Sequence, residues 1–517
     1  MDRSLPRLWP PAAGLFSGAL GLAAGELWSS VIGGAEPVIV VGNRVVDGVP
    51  RGVKTWAIDT FGTNDKVALI TGVLVITAVY SALVGIRAAK KFADGAVGIG
   101  IFALVGVFAA TTGRDPSAKD FGPLVFAFVV ALVALWFLIA RPQQRAVPSA
   151  DGKSNALVNR RQFLVLGGGA AAATAVTAVG ARALTGPDPV KQSAQPIPKT
   201  VMKLPSTPAG AQIDVPNMTP FLTPNDRYYR IDTALVVPRL NANTWKMKVG
   251  GLVKQELEVT YADLRDGRFG DLVEHDCTLM CVSNEVGGGL IGNARWTGIP
   301  LRKVLEVAGV QERAEQIFAR STDGFTAGFP TKLAFDGREA LIAIGMNGEP
   351  LPAKHGYPAR LVVPGIYGYV SAVKWLERIT LTTFADDEGY WIPRGWATLA
   401  PIKTSSRIDV IGSNGRIGPA PAGATPIAGV AWAQHTGIAK VEVQIDDGQW
   451  VEATLAADGG LDTWRQWKYV WDAKTGDHQV AVRATDKTGF TQRAERVDVA
   501  PDGAEGYHTV LVSINKA

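Results

Sequence analysis

Most of the long apolar runs of the 517-residue chain lie in its first 185 residues. A helix needs about 20 apolar residues to cross the hydrocarbon core of a bilayer, and the runs approach that length. We therefore predict an all-α transmembrane region of about five helices over residues 1–185. The predicted spans are residues 12–33, 66–86, 96–113, 122–140 and 163–182.

Basic residues flank these spans unevenly. With a cytoplasmic N-terminus, the basic segments 3–7, 87–91 and 141–161 all lie in the cytoplasm, which follows the positive-inside tendency. The segment 36–65 is an exception, because it places three basic residues outside. Five spans then deliver everything after residue 186 to the outer face. We expect a multi-pass membrane protein, embedded in lipid, whose remaining domains are extracytoplasmic.

The fifth span begins with paired arginines. Residues 159–164 read Asn-Arg-Arg-Gln-Phe-Leu, and a run rich in Gly and Ala follows. The segment 159–182 resembles a twin-arginine signal in an internal position, and such signals are typical of proteins that are exported already folded around a cofactor. Two stop-transfer arginines before an ordinary helix are the alternative.

The membrane region lacks the residue types that bind common redox centres. The first 185 residues contain no His and no Cys. A b-type haem is usually held by imidazole pairs, and an iron–sulfur cluster needs cysteines. We therefore interpret the spans as an anchor, and we expect electrons to be exchanged with a separate protein.

The pattern changes after the last span. Residues 186–216 are rich in Pro, Ser, Thr and Lys, which predicts an extended linker. Over 217–400, short strands and helices mix without regular alternation, which favours an α+β domain over a doubly wound sheet. Over 401–517, short alternating strands separated by turns are typical of an immunoglobulin-like β-sandwich.

Charge and cysteine content exclude two classes of protein. The net charge is +5, and the Lys and Arg residues are scattered rather than clustered, so no nucleic-acid footprint is visible. Two cysteines, Cys277 and Cys281, are too few for a disulfide scaffold. The two cysteines also lie four positions apart on an extended strand, which is too far for a disulfide bond between them.

Cys281 stands where a predicted buried strand opens into a polar, glycine-rich loop. Residues 271–281 alternate well enough for a strand, and Ser283 to Gly289 then supply the loop. A cysteine in this position suits a metal ligand or a nucleophile. Cys277 reads instead as a small buried hydrophobe.

Three ordered motifs follow along the α+β region. They are Cys281 with Ser283-Asn284, the stretch from Asn293 to Leu301, and the stretch from Asn347 to Val370 with Val373-Lys374-Trp375-Leu376. Together they resemble the core of the sulfite-oxidase family of molybdenum enzymes, over roughly residues 215–400. The resemblance implies an oxidoreductase that carries molybdenum and molybdopterin, with Cys281 as the protein ligand of the metal.

The resemblance also implies roles for other residues. His355 and Arg360 match a pterin-binding pair, and an arginine there would give two-pronged phosphate recognition. Lys374 matches a further residue of the cofactor pocket. Asn225 and Arg230 lie where the family places residues near the pterin or the substrate, although their spacing differs from the usual pattern.

Three further assignments each have a structural alternative. Asp323 would bond the pterin, but an aspartate before a glycine equally suits a turn. Trp296 and Tyr390 match catalytic positions that line the substrate pocket, but both equally suit a core. All three residues are therefore candidate site residues beside Cys281.

One departure bears on the substrate. Family members that oxidise sulfite follow the cysteine with an arginine-bearing Gly-Asn-Arg-Arg stretch. This chain has Glu285 in that region, where an acidic group would oppose an anionic substrate unless it turns away. Arg295 is the cation that would compensate. The resemblance therefore implies the cofactor but leaves the substrate open.

We expect two-electron oxygen-atom transfer on a small sulfur- or nitrogen-containing substrate, with a cytochrome or quinone-linked protein as electron carrier. The same centre running backwards would reduce an S-oxide or N-oxide. Two other classes remain as alternatives: a metal-free, membrane-tethered binding module, and a cysteine-dependent hydrolase. By resemblance, the C-terminal sandwich would supply a surface for a homodimer.

Overall fold

The computed structural model of the chain describes residues 5–61, 65–113, 116–141, 160–184, 188–198, 202–412 and 417–516. The chain divides into two compact units. The first is Met1–Pro187 with Ala234–Val236, and the second is Asp188–Thr233 with Val237–Ala517.

The first unit is all-α where it is described. Three of its helices are long and apolar enough to cross a membrane, namely Lys66–Lys90, Phe92–Thr112 and Ala118–Ala140. The helices are α1 (Leu5–Val31), α2 (Pro37–Gly48), α3 (Arg51–Phe61), α4 (Asp65–Lys90), α5 (Phe92–Thr112), α6 (Phe121–Leu135, continued by a π-helical turn at Trp136–Ala140) and α7 (Arg160–Leu184).

The five predicted spans all lie on helices, but the count of five is not supported. Within the described residues, three helices meet both the length and the hydropathy needed for a span. The segment 36–65, expected as an outer loop, instead contains α2 and α3. In the paired-arginine motif, α7 begins at Arg160 and Asn159 lies outside the described residues.

Helix α1 meets α4 without intervening side chains. A Cβ atom added at Gly14 would lie 2.0 Å from the carbonyl oxygen of Ser81, and one added at Gly85 would lie 2.1 Å from that of Pro10. Only glycine fits at such distances, and small residues that let backbones approach are typical of helices packed in a membrane. The first unit is therefore a packed helical assembly.

The second unit begins with an α+β region, as predicted. One sheet has the strand order β2-β1-β10-β5-β6, and the other has the order β3-β4-β7-β8, with β9 beside β7. The strands are β1 (Lys246–Gly251), β2 (Leu257–Thr260), β3 (Val273–Met280), β4 (Ile291–Pro300), β5 (Gln316–Ser321), β6 (Thr326–Pro330), β7 (Leu341–Met346), β8 (Glu349–Pro350), β9 (Arg360–Val362) and β10 (Leu376–Thr382), and the helices are α8 (Pro189–Ser193), α9 (Tyr261–Arg265), α10 (Leu301–Ala308) and α11 (Gly368–Ser371).

The linker predicted at 186–216 is mostly exposed where it is described, but a few of its residues are buried against the rest of the second unit. Ser193, on α8, is buried and lies 3.0 Å from the hydroxyl of Tyr357, and it accepts from the N–H of Ala242 at 2.9 Å. Ala211 is fully buried. A Pro-rich segment without periodicity can still pack when a neighbouring domain covers it, so its composition was a poor guide to its contacts.

The C-terminal region is rich in β-structure, as predicted. Two sheets, with the orders β11-β13-β17-β16 and β12-β19-β18-β14-β15, share an apolar cluster that includes Ile427, Val441 and Trp467. The strands are β11 (Ser405–Ile411), β12 (Ala420–Pro421), β13 (Gly423–Trp432), β14 (Ile438–Ile445), β15 (Val451–Glu452), β16 (Thr454–Leu455), β17 (Arg465–Ala473), β18 (Gly476–Asp486) and β19 (His508–Asn515).

The C-terminal region packs directly on β3. The N–H of Thr278 donates to the carbonyl of Asp462 at 2.9 Å, and the Thr278 hydroxyl accepts from the N–H of Trp464 at 2.8 Å. The Asp462 carboxylate in turn lies 2.9 Å from Nε2 of His275 and 3.2 Å from Nδ1 of His435. These contacts fix the strand that leads into Cys281.

Candidate active site

The chain turns sharply at Cys281, directly after β3. The N–H of Cys281 donates to the carbonyl of Leu290 at 3.0 Å, and the N–H of Asn284 donates to the carbonyl of Cys281 at 3.1 Å. The buried side-chain oxygen of Asn284 accepts from the N–H of Leu290 at 2.6 Å. One asparagine therefore closes the loop 281–290 on itself and fixes the backbone of Cys281.

The two cysteines have different surroundings. Cys281 is 8% exposed and lines a cavity, whereas Cys277 is fully buried in the core. Burial raises the pKa of both thiols. At Cys281, hydrogen bonds from the backbone and side chain of Ser283 and the positive charge of Lys374 act in the opposite direction and favour the thiolate. Of the two thiols, Cys281 is the one with access to a ligand.

The cavity beside Cys281 collects most of the predicted cofactor residues. It is open to solvent, and the empty space between its walls, open solvent included, is about 910 Å³. The predicted residues that line it are Cys281, Asp323, His355, Arg360 and Lys374. These residues lie on separate segments, which the two sheets of the α+β region bring together.

His355 is a neutral imidazole in this structure. It ends a short 3-10 turn, Ala353–His355, and its Nε2 lies 3.0 Å from the carbonyl of Asn225, so Nε2 carries the proton. Burial, together with the charges of Arg360, Lys374 and Lys354, lowers the pKa of His355 to about 3, against the hydrogen bond to Asn225. The ring therefore acts as a polar neutral group at physiological pH.

Arg360 is a buried cation that is held by backbone carbonyls. It is 5% exposed, and its Nε and Nη1 donate to the backbone carbonyls of Leu361 at 3.3 Å and His355 at 3.1 Å. Its guanidinium lies 4.9 Å from the centre of the Trp296 ring. Among the described residues no carboxylate pairs with it. Buried charges are normally paired, so this guanidinium at the cavity wall suits an anionic ligand.

Lys374 is a buried cation whose charge is already balanced. Its Nζ lies 2.8 Å from the carboxylate of Asp232, and the two side chains are 9% and 3% exposed. Burial lowers the pKa of Lys374 to about 8, while Asp232 opposes this shift. Arg230 pairs with the same carboxylate at 2.8 Å from a more exposed position. Arg230 therefore acts on the cavity through Asp232.

Two predicted pocket residues lie behind the cavity wall. Trp296 is fully buried, and its indole N–H donates to the carbonyl of Cys277 at 3.1 Å. Tyr390 is buried behind Phe325 and Trp391, at ring distances of 6.0 Å and 5.0 Å. Neither lines the cavity. The expectation that they line a substrate pocket is therefore corrected, because both rings serve as packing for residues that do.

Asn225 and Asp323 have positioning roles in the structure. Asn225 does not line the cavity, but its backbone carbonyl holds His355 and its side-chain oxygen accepts from Asn347 at 2.9 Å. Asp323 lines the cavity and also forms the predicted turn, since its Oδ1 accepts from the N–H of Phe325 at 3.3 Å. The turn predicted for Asp323 is therefore present, and its bond to the pterin remains a prediction.

Several lining residues were missed from the sequence. Asp232 stands two residues after Arg230, and Trp375 directly follows Lys374, so the signal for both was proximity to a matched residue. Aromatic residues carry no comparable signal, because a core explains them equally well. The missed residues that line the cavity include Tyr228, Tyr229, Asp232, Ser283, Phe325, Tyr369, Trp375, Trp391 and Trp396.

Glu285, the acidic residue that departs from the sulfite-oxidising motif, does not line the cavity. Glu285 is exposed. Arg295 does not compensate for it, because its guanidinium donates to the carboxylate of Asp276 at 2.8 Å and 2.9 Å, away from the cavity. The charge of the cavity is therefore set by Arg360, by the pair of Lys374 with Asp232 and by the carboxylate of Asp323.

The site fits a phosphate-bearing cofactor that brings its own metal ligands. Among the residues that the structure describes, no group of three or more His, Cys, Asp or Glu side chains is placed to hold a metal ion. Cys281 offers one soft ligand, which suits a redox-active metal whose other ligands come from the cofactor. The unpaired guanidinium of Arg360 suits a phosphate. The donors therefore agree with molybdopterin and molybdenum.

Comparison with known proteins agrees with this chemistry. Residues 234–391 match the family described as the oxidoreductase molybdopterin binding domain. Sulfite oxidase from Gallus gallus is 29% identical over 312 residues, which cover 52% of this chain and 67% of that protein. NAD(P)H nitrate reductase from Hordeum vulgare is 31% identical over 196 residues, which cover 33% of this chain and 21% of that protein. The chain thus spans at most about two thirds of these curated relatives.

A solved structure is also similar. The sulfane dehydrogenase SoxCD from Paracoccus pantotrophus aligns over 56% of this chain and 81% of its own, with 24% identity and a TM-score of 0.48.

Proposed function

The chain belongs to the sulfite-oxidase family of molybdopterin-dependent oxidoreductases, and on that premise we propose that it transfers an oxygen atom to or from a small sulfur- or nitrogen-containing substrate outside the cytoplasm. One observation carries the proposal. The cavity beside Cys281 holds a buried guanidinium, that of Arg360, with no carboxylate partner among the described residues. A buried unpaired cation is costly unless a ligand supplies the anion.

Six of the cavity residues would take part in holding the cofactor. Cys281 would ligate molybdenum, and Ser283 would orient its sulfur by two hydrogen bonds. Arg360 would bind the phosphate through its planar fork. Lys374, held by Asp232 at 2.8 Å, would donate to polar edges of the pterin, and neutral His355 would add a polar group without a second unbalanced charge. The bound cofactor supplies two-electron oxygen-atom chemistry.

The overall reaction balances with water and a separate electron carrier. In the oxidase direction, substrate and one water give the oxygenated product, two protons and two electrons. In the reductase direction, an S-oxide or N-oxide takes two electrons and two protons and releases water. A cytochrome or a quinone-linked protein would carry the electrons one at a time. A separate carrier is needed because the membrane region has no His or Cys for a haem or cluster of its own.

The location and assembly are part of the proposal. Three apolar helices and the basic segments that flank them support a multi-pass anchor in membrane lipid with the cofactor domain outside. The segment 159–182 would act as the internal twin-arginine signal. The two C-terminal sheets would form an immunoglobulin-like sandwich, and that sandwich would carry the contact of a homodimer.

A cysteine-dependent hydrolase is disfavoured by the electrostatics of the site. A nucleophilic cysteine needs a lowered pKa and a base whose pKa lies near the working pH. Burial instead raises the pKa of Cys281, and the histidine that shares its cavity, His355, has a pKa of about 3. A metal-free binding module is the remaining alternative, and cofactor content decides between it and the enzyme.

The test is elemental and pterin analysis of the full-length protein, purified in detergent from a host that makes molybdopterin. Wild type and the control Cys277→Ser should each contain about one molybdenum per chain, and Cys281→Ser should lose the metal or its redox activity. Wild-type protein with neither molybdenum nor pterin would favour the binding module. Metal-free protein with alkylation-sensitive hydrolysis would favour the hydrolase.

A further inference from the structure

An arginine of the C-terminal region holds the loop 281–290 from outside. Arg407, on β11, donates from its Nη1 to the carbonyl of Gly288 at 2.7 Å and from its Nη2 to the hydroxyl of Thr219 at 3.4 Å. Its Nε pairs with the carboxylate of Asp409, and the two side chains are 11% and 8% exposed. A hydrogen bond from a charged donor is stronger than one between neutral groups. Arg407 therefore fixes the loop at Gly288.

A histidine of the same region covers the neighbouring glycine. A Cβ atom added at Gly287 would lie 2.4 Å from both Cδ2 and Nε2 of His508, on β19, so the position leaves no room for a side chain. Gly287 also has a φ of +80°, a backbone conformation that favours glycine. The His508 ring is itself fixed, because its Nδ1 accepts from the N–H of Ile408 at 2.9 Å. Two adjacent loop residues are thus held by side chains of two C-terminal strands.

The shape of the loop reaches the sulfur of Cys281. The backbone and the side chain of Ser283 both donate hydrogen bonds to that sulfur, and the N–H of Cys281 donates to the carbonyl of Leu290 at 3.0 Å. Cys281 lines the cavity, whereas Arg407 and His508 are not among its described lining residues. Any effect of these two side chains on the sulfur therefore passes through the loop.

We propose that Arg407 and His508 are positioning residues of the metal centre, which hold the loop 281–290 in the shape that presents the Cys281 sulfur to the cavity. The inference rests on the proposed function for the identity of the metal ligand. It goes beyond that function by making the C-terminal region a working part of the active site. Contacts behind a metal ligand orient the ligand and tune the metal that it binds.

Amide hydrogen exchange of the full-length, cofactor-free protein tests the hold on the loop. Arg407→Met combined with Asp409→Asn removes the contact to Gly288 without leaving a buried charge alone. Exchange rates report local opening, and the loss of a hydrogen bond from a charged donor should speed exchange in residues 281–290 about tenfold. Arg407→Lys keeps a charged donor, so its exchange should lie between that of wild type and that of the double variant.

Arg483→Met combined with Glu442→Gln is the matched control. Arg483 pairs with Glu442 at 2.9 Å in the same region, with side chains that are 25% and 12% exposed. This pair joins β18 to β14, whereas the loop meets β11 and β19. Exchange in residues 281–290 should stay within about twofold of wild type in the control. Equal exchange in the two double variants would overturn the proposal.

Gly287→Ala tests the second contact. The added methyl group would meet the His508 ring, so the substitution should speed exchange in the loop, and it should do so less in a His508→Ala background, where the ring is gone. Equal effects of Gly287→Ala in the two backgrounds would show that the ring does not hold the loop.

A spectroscopic signature of the loaded protein separates positioning from a merely structural role. The electron paramagnetic resonance signal of the partly reduced protein should change in Gly287→Ala and in the Arg407 double variant, and should match wild type in the Arg483 control. Loss of the metal from the first two proteins, with full loading of the control, would support the proposal equally. Identical signals in all of these proteins would overturn it.

Failure of this inference is distinguishable from failure of the proposed function. Loaded variants with wild-type signals and wild-type exchange overturn the positioning role and leave the redox assignment intact. Wild-type protein without molybdenum and pterin overturns the proposed function itself, and exchange in the cofactor-free protein still decides whether Arg407 and His508 hold the loop.

Discussion

The ammonium of Lys374 and the carboxylate of Asp232 lie 2.8 Å apart, with side chains that are 9% and 3% exposed. The pair brings together two segments of the second unit, because Asp232 precedes β1 and Lys374 precedes β10. It also leaves Arg360 as the cation of the cavity whose charge is not balanced within the described chain.

Asp232→Asn should destabilise the protein by about 3 kcal/mol, because it leaves the Lys374 ammonium buried without its counter-charge. Urea unfolding of the cofactor-free protein in detergent measures the loss. Arg230→Gln is the control. Its side chain is 35% exposed, and breaking a pair at such a position costs less than about 1 kcal/mol. Equal effects of the two substitutions would contradict a special role for the buried pair.

Arg360→Gln should separate cofactor binding from stability. It removes the guanidinium that the phosphate would meet, so pterin and molybdenum should be largely lost. The stability of the cofactor-free protein should stay within about 1 kcal/mol of wild type, because no carboxylate loses a partner among the described residues. Pterin release and urea unfolding give the two readouts. Arg360→Lys should bind the cofactor at an intermediate level, since it keeps the charge but loses the planar fork. A large loss of stability with full cofactor content would refute this assignment.

Asp462→Ala should loosen β3 from the C-terminal region. The Asp462 side chain, 8% exposed, bridges His275 and His435, and its loss should cost about 1 to 3 kcal/mol and speed amide exchange in residues 273–281. Asp446→Ala is the matched control, because Asp446 bridges His478 with a side chain that is 53% exposed. Unchanged exchange in β3 would show that the bridge does not hold the strand.

His508 should make stability fall in acid. Its Nδ1 accepts from the N–H of Ile408 at 2.9 Å, and burial, with Arg407 and Arg496, lowers its pKa to about 4, against the opposing charge of Asp409. The unfolded chain therefore binds the proton more readily than the folded one. Its contribution is present above pH about 6.5 and is lost as the pH falls through about 4.

His508→Gln isolates this contribution. The slope of unfolding free energy between pH 6.5 and 4 should be shallower in the variant, by a total of about 2 kcal/mol. Comparing urea unfolding at pH 7 and pH 4.5 for both proteins gives the difference. Parallel pH dependences in wild type and variant would mean that His508 titrates normally in the folded state.

Most of the correct predictions about family and cofactor came from the sequence motifs around Cys281. The family, the cofactor and the α+β class with a β-rich C-terminus are confirmed, because ordered polar motifs and strand alternation are local properties of the sequence. Cys281, His355, Arg360 and Lys374 meet at one cavity although they span almost 100 residues. Their assigned roles remain predictions.

The remaining features depend on contacts between distant segments. Trp296 and Tyr390 were expected at the cavity surface but lie behind it, because a large aromatic residue suits a wall and a core equally well. Asp232 was missed because its partner, Lys374, lies 142 residues away. The segment 186–216 was expected as an extended linker, and the burial of Ser193 and Ala211 within it could not be predicted, because periodicity reports a segment's own amphipathic face and not the domain that it contacts.

The central claim is that Cys281 ligates molybdenum, and X-ray absorption at the molybdenum edge tests it most directly. Wild type and Cys277→Ser should share one sulfur shell, and any molybdenum retained by Cys281→Ser should have one sulfur scatterer fewer. An identical sulfur shell in all three proteins would contradict the assignment, and so would wild-type protein that contains no molybdenum.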